Sequence, residues 1–182
     1  MSDEKELLCW NKRDAETAVK QWGFNCGPAA LCAVTGLTPQ EIRPHLVGFE
    51  SKGYTNPTLM LSALESLHVP FVRTYRSDSP GPLPIVRFGL IRIQWGGAWT
   101  KPGVPMRVRY RKTHWAALRN NSTEAFDINA LAAGAGLVWL PQVDWSTFLI
   151  PLVMRECCPK GDGTWWVTHV LEILLSPKTP DL

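Results

Sequence analysis

Residues 25–36 read Asn-Cys-Gly-Pro-Ala-Ala-Leu-Cys-Ala-Val-Thr-Gly. From Cys26 to Thr35 the run carries no charge and is mostly small and apolar. A helix that is apolar all round is stable only when other elements cover it, so this run predicts a buried helix over 29–34. Pro28 suits its first turn, where a missing N–H costs nothing, and Gly36 suits the left-handed residue just past its end. Cys26 then falls at or just before the helix N-terminus.

Other signals place further elements around it. Thr38-Pro39-Gln40-Glu41 is a capping box with proline at the first helical position, and Pro44 ends or bends that helix. Asn56-Pro57 opens a third helix, closed by His68-Val69-Pro70. The texture then turns to strands: 71–75, 85–95, 106–111, 114–118, 124–128 and 165–175. In the third, Arg107, Arg109 and Arg111 alternate with Val108 and Tyr110. Residues 144–153 suit a short helix with Asp144 as its N-cap. Helices first and a mostly antiparallel sheet afterwards make an α+β pattern with segregated helices. At 182 residues, with 45% hydrophobic and 19% charged residues, the chain fits one globular domain over 21–182. Residues 1–20, rich in Glu, Lys and Asp, read as an arm or exposed helix.

Several classes are excluded as expectations. No apolar run is long enough for a membrane span, and the acidic N-terminus is unlike a secretory signal. Five cysteines, with Cys157 and Cys158 adjacent, make a poor disulfide framework and point to a reducing cytoplasm. CxxC and HExxH are absent, so neither a metal nor another cofactor is expected. Nine tryptophans read as a Trp-rich core or as aromatic walls of a groove.

Three residues carry chemistry together. A thiol at a helix start meets the positive end of the helix dipole, which favours the thiolate of Cys26. His114 opens a strand and can share the proton. Asp127 lies 13 residues further on, and a turn at Asn120-Asn121 can bring it beside His114 to orient the imidazole. Gln21, together with the Cys26 backbone N–H, is a candidate oxyanion donor. His169 is a rival base, Asn129 a rival orienter, and Trp115 a shield for the ion pair. Cys32 reads as core; His45 and His68 read as surface.

These residues, in Gln21…Asn25-Cys26-Gly27-Pro28-Ala29-Ala30-Leu31, Thr113-His114-Trp115-Ala116-Ala117 and Phe126-Asp127-Ile128-Asn129, resemble the papain-like cysteine peptidase superfamily, most of all its bacteriocin-leader (double-glycine) peptidase-like branch. The resemblance spans roughly residues 20–130. It implies a papain-like fold with the nucleophile on a central helix packed on the sheet. Cys26 would be the nucleophile, His114 general base and acid, Asp127 orienter and Gln21 oxyanion donor. The implied activity is hydrolysis of a peptide or isopeptide bond through a thioester; acyl transfer uses the same triad. The segment 94–100 lies outside that family's core. The chain also resembles small bacteriophage-encoded proteins.

Charge adds a second theme. Residues 79–123 hold eight of the 19 cations (Arg87, Arg92, Lys101, Arg107, Arg109, Arg111, Lys112 and Arg119) and none of the 16 acids. Either this is a solvated face or it attracts an acidic partner. Without a phosphate loop or an RNA-binding aromatic motif, nucleic acid is not the expected partner; an acidic protein or peptide is. The competing function is a non-catalytic peptidase-like module that grips an acidic protein with this basic, Trp-rich face, in phage assembly or host antagonism.

Overall fold

The computed structural model describes residues 10–77 and 79–174. Asn11 caps the first helix, α1 (Lys12–Trp22): its Oδ1 accepts from the N–H of Arg13 and Asp14, while Asp14 accepts from the N–H of Asn11. Gly23 ends α1, and α2 (Cys26–Thr35) follows, with Gly36 left-handed at its C-terminus. The capping box opens α3 (Pro39–Ile42), which tightens into a 3₁₀ turn at Pro44. A short α4 (Phe49–Lys52) leads to α5 (Pro57–Ser66), capped by the Asn56 side chain.

Six strands form one antiparallel sheet in the order β1-β6-β2-β3-β4-β5. They are β1 (Phe71–Arg76), β2 (Phe88–Gly97), β3 (Thr113–Arg119), β4 (Glu124–Phe126), β5 (Trp139–Pro141) and β6 (Gly161–Ile173). Alternation divides the side chains between two cores. Leu90, Trp115, Ala117 and Leu171 pack beneath α1, α2 and α5. Ile91, Ile93, Ala116, Leu118 and Val170 pack on the opposite side, with Trp145, Leu149 and Val153. Those last residues come from a helical stretch in three pieces: α7 (Gln142–Asp144), a π-helical segment (Trp145–Leu149) and α8 (Ile150–Cys157). Pro151 cannot donate within such a stretch, a natural cause of the widened turn before it. Every residue of β2 is buried, as expected of a central strand covered on both faces.

The α+β class with an antiparallel sheet is therefore present, and three expectations need correction. Helices are not segregated, because the 142–157 stretch covers the second face. Asp144 lies inside that stretch and does not cap it. The 106–111 strand is instead α6 (Met106–Arg109), beginning after Pro105 and held by Arg109, whose Nε donates to the Val104 carbonyl at 2.9 Å. Of the two forms expected for the N-terminal segment, arm or exposed helix, the described part is a helix: α1 runs on through residues 20 and 21, and Trp10 before it is buried, its indole donating to the Leu37 carbonyl. Residues 1–9 of that expected arm, and residue 175 of the last strand, lie outside the described residues.

The start of α2 is the tightest joint near the candidate nucleophile. A Cβ at Gly27 would stand 2.4 Å from Thr55 Oγ1 and 2.5 Å from Thr55 Cβ. Thr55 is buried and β-branched, so it has little rotamer freedom with which to yield. Gly27→Ala is expected to destabilise the fold by about 1–3 kcal/mol, lowering the midpoint in thermal unfolding and slowing Cys26 chemistry with it.

Candidate active site

The β3–β4 hairpin builds half of the site. Asn120, Asn121 and Ser122 all have positive φ, the conformation a tight hairpin turn demands. The turn sets Ala117 opposite Phe126, so Asp127 emerges just past the end of β4, level with Ala116 and two residues along β3 from His114, which shares that face. There Asp127 Oδ2 lies 2.6 Å from His114 Nε2. The same oxygen accepts from the Trp145 indole at 3.0 Å. Oδ1 accepts from the backbone and side-chain nitrogens of Asn129, at 3.0 and 3.1 Å. The carboxylate is 1% exposed, yet four donors satisfy it, which is what keeps a buried charge tolerable.

The other half is α2. Trp95 N–H bonds to the Lys112 carbonyl, so alternate residues of β3 from Lys112 onward bond toward β2, and Trp115 faces the β4 side. The β4 ladder stops opposite Ala117. The Trp115 N–H therefore projects beyond the ladder, and it donates to the Cys26 sulfur. His114 belongs by alternation to the other face, where Trp95 stacks over its ring at 6.0 Å and 24°. Sulfur and imidazole meet around the strand edge, close enough that each favours the charged form of the other. Because Nε2 faces Asp127, Nδ1 is the nitrogen left for Cys26.

Electrostatics follow from this packing. Burial is the largest influence on Cys26 and opposes its ionisation. The His114 charge, its hydrogen bond and the Trp115 N–H prevail over burial and the weaker repulsion of Asp127, so the thiol ionises below its ordinary range. Burial also disfavours charge on His114, but Asp127 and Cys26 outweigh it and raise the imidazole well above its usual value. Burial pushes Asp127 up, and its bonds to His114, Trp145 and Asn129 bring it down. The resting site is a thiolate–imidazolium pair backed by a carboxylate.

Cys26, His114 and Asp127 are thus brought together. Gln21 is not: it is exposed on α1 and lines a groove with Thr17, Thr38 and Gln40, toward α3. At the start of α2 the Asn25 side chain does not cap the helix and donates back to the Trp22 carbonyl, leaving the Cys26 and Gly27 N–H groups without a side-chain cap. Asn129 supports Asp127 rather than replacing it. His169 lies across β2 from the triad, paired with Arg92. The Trp115 indole donates to the Thr55 carbonyl, so shielding the imidazole falls to Trp95. Cys32 is core, and Cys157 and Cys158 are free thiols.

Sequence reasoning missed Trp145, Trp95 and Arg92. Only Arg92 left a local signal, a cation in the middle of an apolar strand. Among the described residues no group of acids, histidines or cysteines could hold a metal, and no helix is long and apolar enough to cross a membrane. No protein-family model matches the chain, and no curated protein or solved structure matches it.

Iodoacetamide kinetics check the ion pair. The lowered Cys26 pKa should place the midpoint of its alkylation pH profile below the ordinary thiol value of about 8.5. His114→Ala removes the opposing cation while burial remains, so the midpoint should move up, to or beyond the ordinary thiol value of about 8.5. An unchanged midpoint would show that His114 does not ionise the sulfur.

Proposed function

We propose that the chain is a thiol hydrolase with a papain-like arrangement, cleaving a peptide or isopeptide bond in a reducing compartment such as the cytoplasm. The observation that carries this reading is the 2.6 Å hydrogen bond between Asp127 and His114, with His114 electrostatically coupled in turn to Cys26 at the start of a buried helix.

Each group has a step. The Cys26 thiolate attacks the carbonyl carbon, forming a C–S bond, and the carbonyl oxygen takes up negative charge. The uncapped N–H groups of Cys26 and Gly27 are positioned for that charge. His114 gives its proton to the leaving nitrogen as the C–N bond breaks, which leaves a thioester and a neutral imidazole. Water then attacks the thioester, His114 takes its proton, and the C–S bond breaks to release the acid and restore the ion pair. Asp127 stays ionised throughout and holds the ring. Trp95 covers the imidazole and keeps solvent from competing for its protons.

The sign of the pH dependence follows. Activity rises as pH passes the lowered Cys26 pKa and falls as pH passes the raised His114 pKa, where the leaving amine finds no acid. The plateau should therefore lie above the lowered Cys26 pKa and below the raised His114 pKa.

A nonspecific activated ester tests the chemistry without a known substrate. p-Nitrophenyl acetate should give a stoichiometric burst of nitrophenolate followed by slower turnover, with the acetyl group mapped to Cys26. Cys26→Ala should lose both phases, by about three orders of magnitude or more, with the circular dichroism spectrum unchanged. A burst that persists in Cys26→Ala, or one mapped to exposed Cys157, overturns the assignment.

A further inference from the structure

Beside the triad lies a groove with a cavity volume of about 880 Å³. Arg73, Arg92, Arg107 and Arg111 line it, together with Tyr54 and His169, and among the described residues no carboxylate does. Among the described residues none of the four arginines is in an ion pair. Arg107 and Arg111 are exposed at the rim. Arg92 is 3% exposed. Its Nη1 donates to Thr168 Oγ1 at 3.3 Å, and its Nη2 donates to the Tyr110 carbonyl and Thr113 Oγ1, at 3.3 and 3.2 Å. Its Nε is buried with no hydrogen-bond partner. A guanidinium buried among neutral oxygens, with one donor unused, is an expensive arrangement unless an anion joins it. The planar fork of arginine suits a carboxylate in particular.

The groove is joined to the nucleophile on two sides. Thr113, which accepts from Arg92, immediately precedes His114. Thr55, between the groove-lining Tyr54 and Asn56, packs against Gly27 at the start of α2. Arg92 itself pairs across the sheet with Trp115, whose N–H holds the sulfur.

We propose that this groove binds carboxylates of an acidic peptide beside the acyl group delivered to Cys26, so that the substrate is an acidic segment. The inference rests on the hydrolase reading, and it turns the basic stretch of the sequence into a specificity device. Arg92 anchors one carboxylate at the floor, and Arg73, Arg107 and Arg111 draw in the remainder.

Two reagents of one size test it on the full chain. Iodoacetate carries a carboxylate and iodoacetamide does not. The ratio of their rates at Cys26 should fall about tenfold or more in the double variant Arg107→Glu/Arg111→Glu, while the iodoacetamide rate stays within about twofold. Both replaced side chains are exposed, so the fold should tolerate them. A ratio indifferent to this reversal overturns the proposal. Slow wild-type reaction with iodoacetamide as well would instead remove the hydrolase reading beneath it. Protection of Cys26 from iodoacetamide then identifies the source of the carboxylate. An amidated tetraglutamate peptide should protect if side chains bind, and tetraalanine with a free C-terminus if the chain end does. Protection by neither, or equal protection by amidated tetraglutamine, overturns the proposal.

Discussion

The site depends on keeping several charges inside a fold that would otherwise expel them. The Cys26 thiolate, the His114 imidazolium and the Asp127 carboxylate sum to one negative charge in a largely water-free space. Arg92, buried on the neighbouring strand and electrostatically coupled to Cys26, brings the sum to zero. Burial lowers the Arg92 pKa to about 10, with Tyr110 and Cys26 opposing the fall, so it remains charged at neutral pH. Each member is tolerable because the others are ionised. The arrangement explains why so many donors converge on one carboxylate. Trp145 and Asn129 add to His114 in holding Asp127 ionised against its burial.

Much of this was legible in the sequence, where local chemistry is decisive. The buried helix, its glycine end and the Thr38–Glu41 capping box depend on short-range rules and formed as read. The His114–Asp127 pair was legible because a hairpin register follows from its turn. Failures came where long-range packing overrode a local pattern. Arg107, Val108, Arg109, Tyr110 and Arg111 alternate as a strand would, but six residues are too few for period to decide. Pro105 and the bonds of Arg109 to nearby carbonyls favour a helical turn there. Gln21 sits at a plausible spacing before Cys26, yet α1 turns it toward α3, and spacing carries no information about which face of a helix a side chain occupies. Trp145 reaches Asp127 from 18 residues away, through an element whose docking face only the assembled sheet reveals.

The strand edge resolves a geometric difficulty that the linear motif conceals. Helix α2 packs on one face of the sheet, while His114 points by alternation to the other. A long β4 would have consumed the Trp115 N–H and walled the thiol off from the imidazole. Because β4 is three residues long, the ladder ends early, the N–H turns to sulfur, and the two faces communicate around the open edge. A short strand, usually a sign of weak pairing, is here the condition for the site to exist.

The same edge bears on what can reach the sulfur. With helices covering both faces of the sheet, access runs along the groove between α5, α6 and β2, where the arginines lie. Attraction and chemistry are consequently not independent choices in this fold. The residues that frame the groove, Thr55 and Thr113, also set the start of α2 and the position of His114. Any change that widened the groove would disturb the nucleophile, and a substrate carboxylate at Arg92 would add negative charge close to the thiolate and raise its energy. A carboxylate bound there would oppose the ionisation of Cys26 while relieving the buried charge of Arg92, so under the proposed reading recognition and thiolate formation are coupled through a single buried guanidinium.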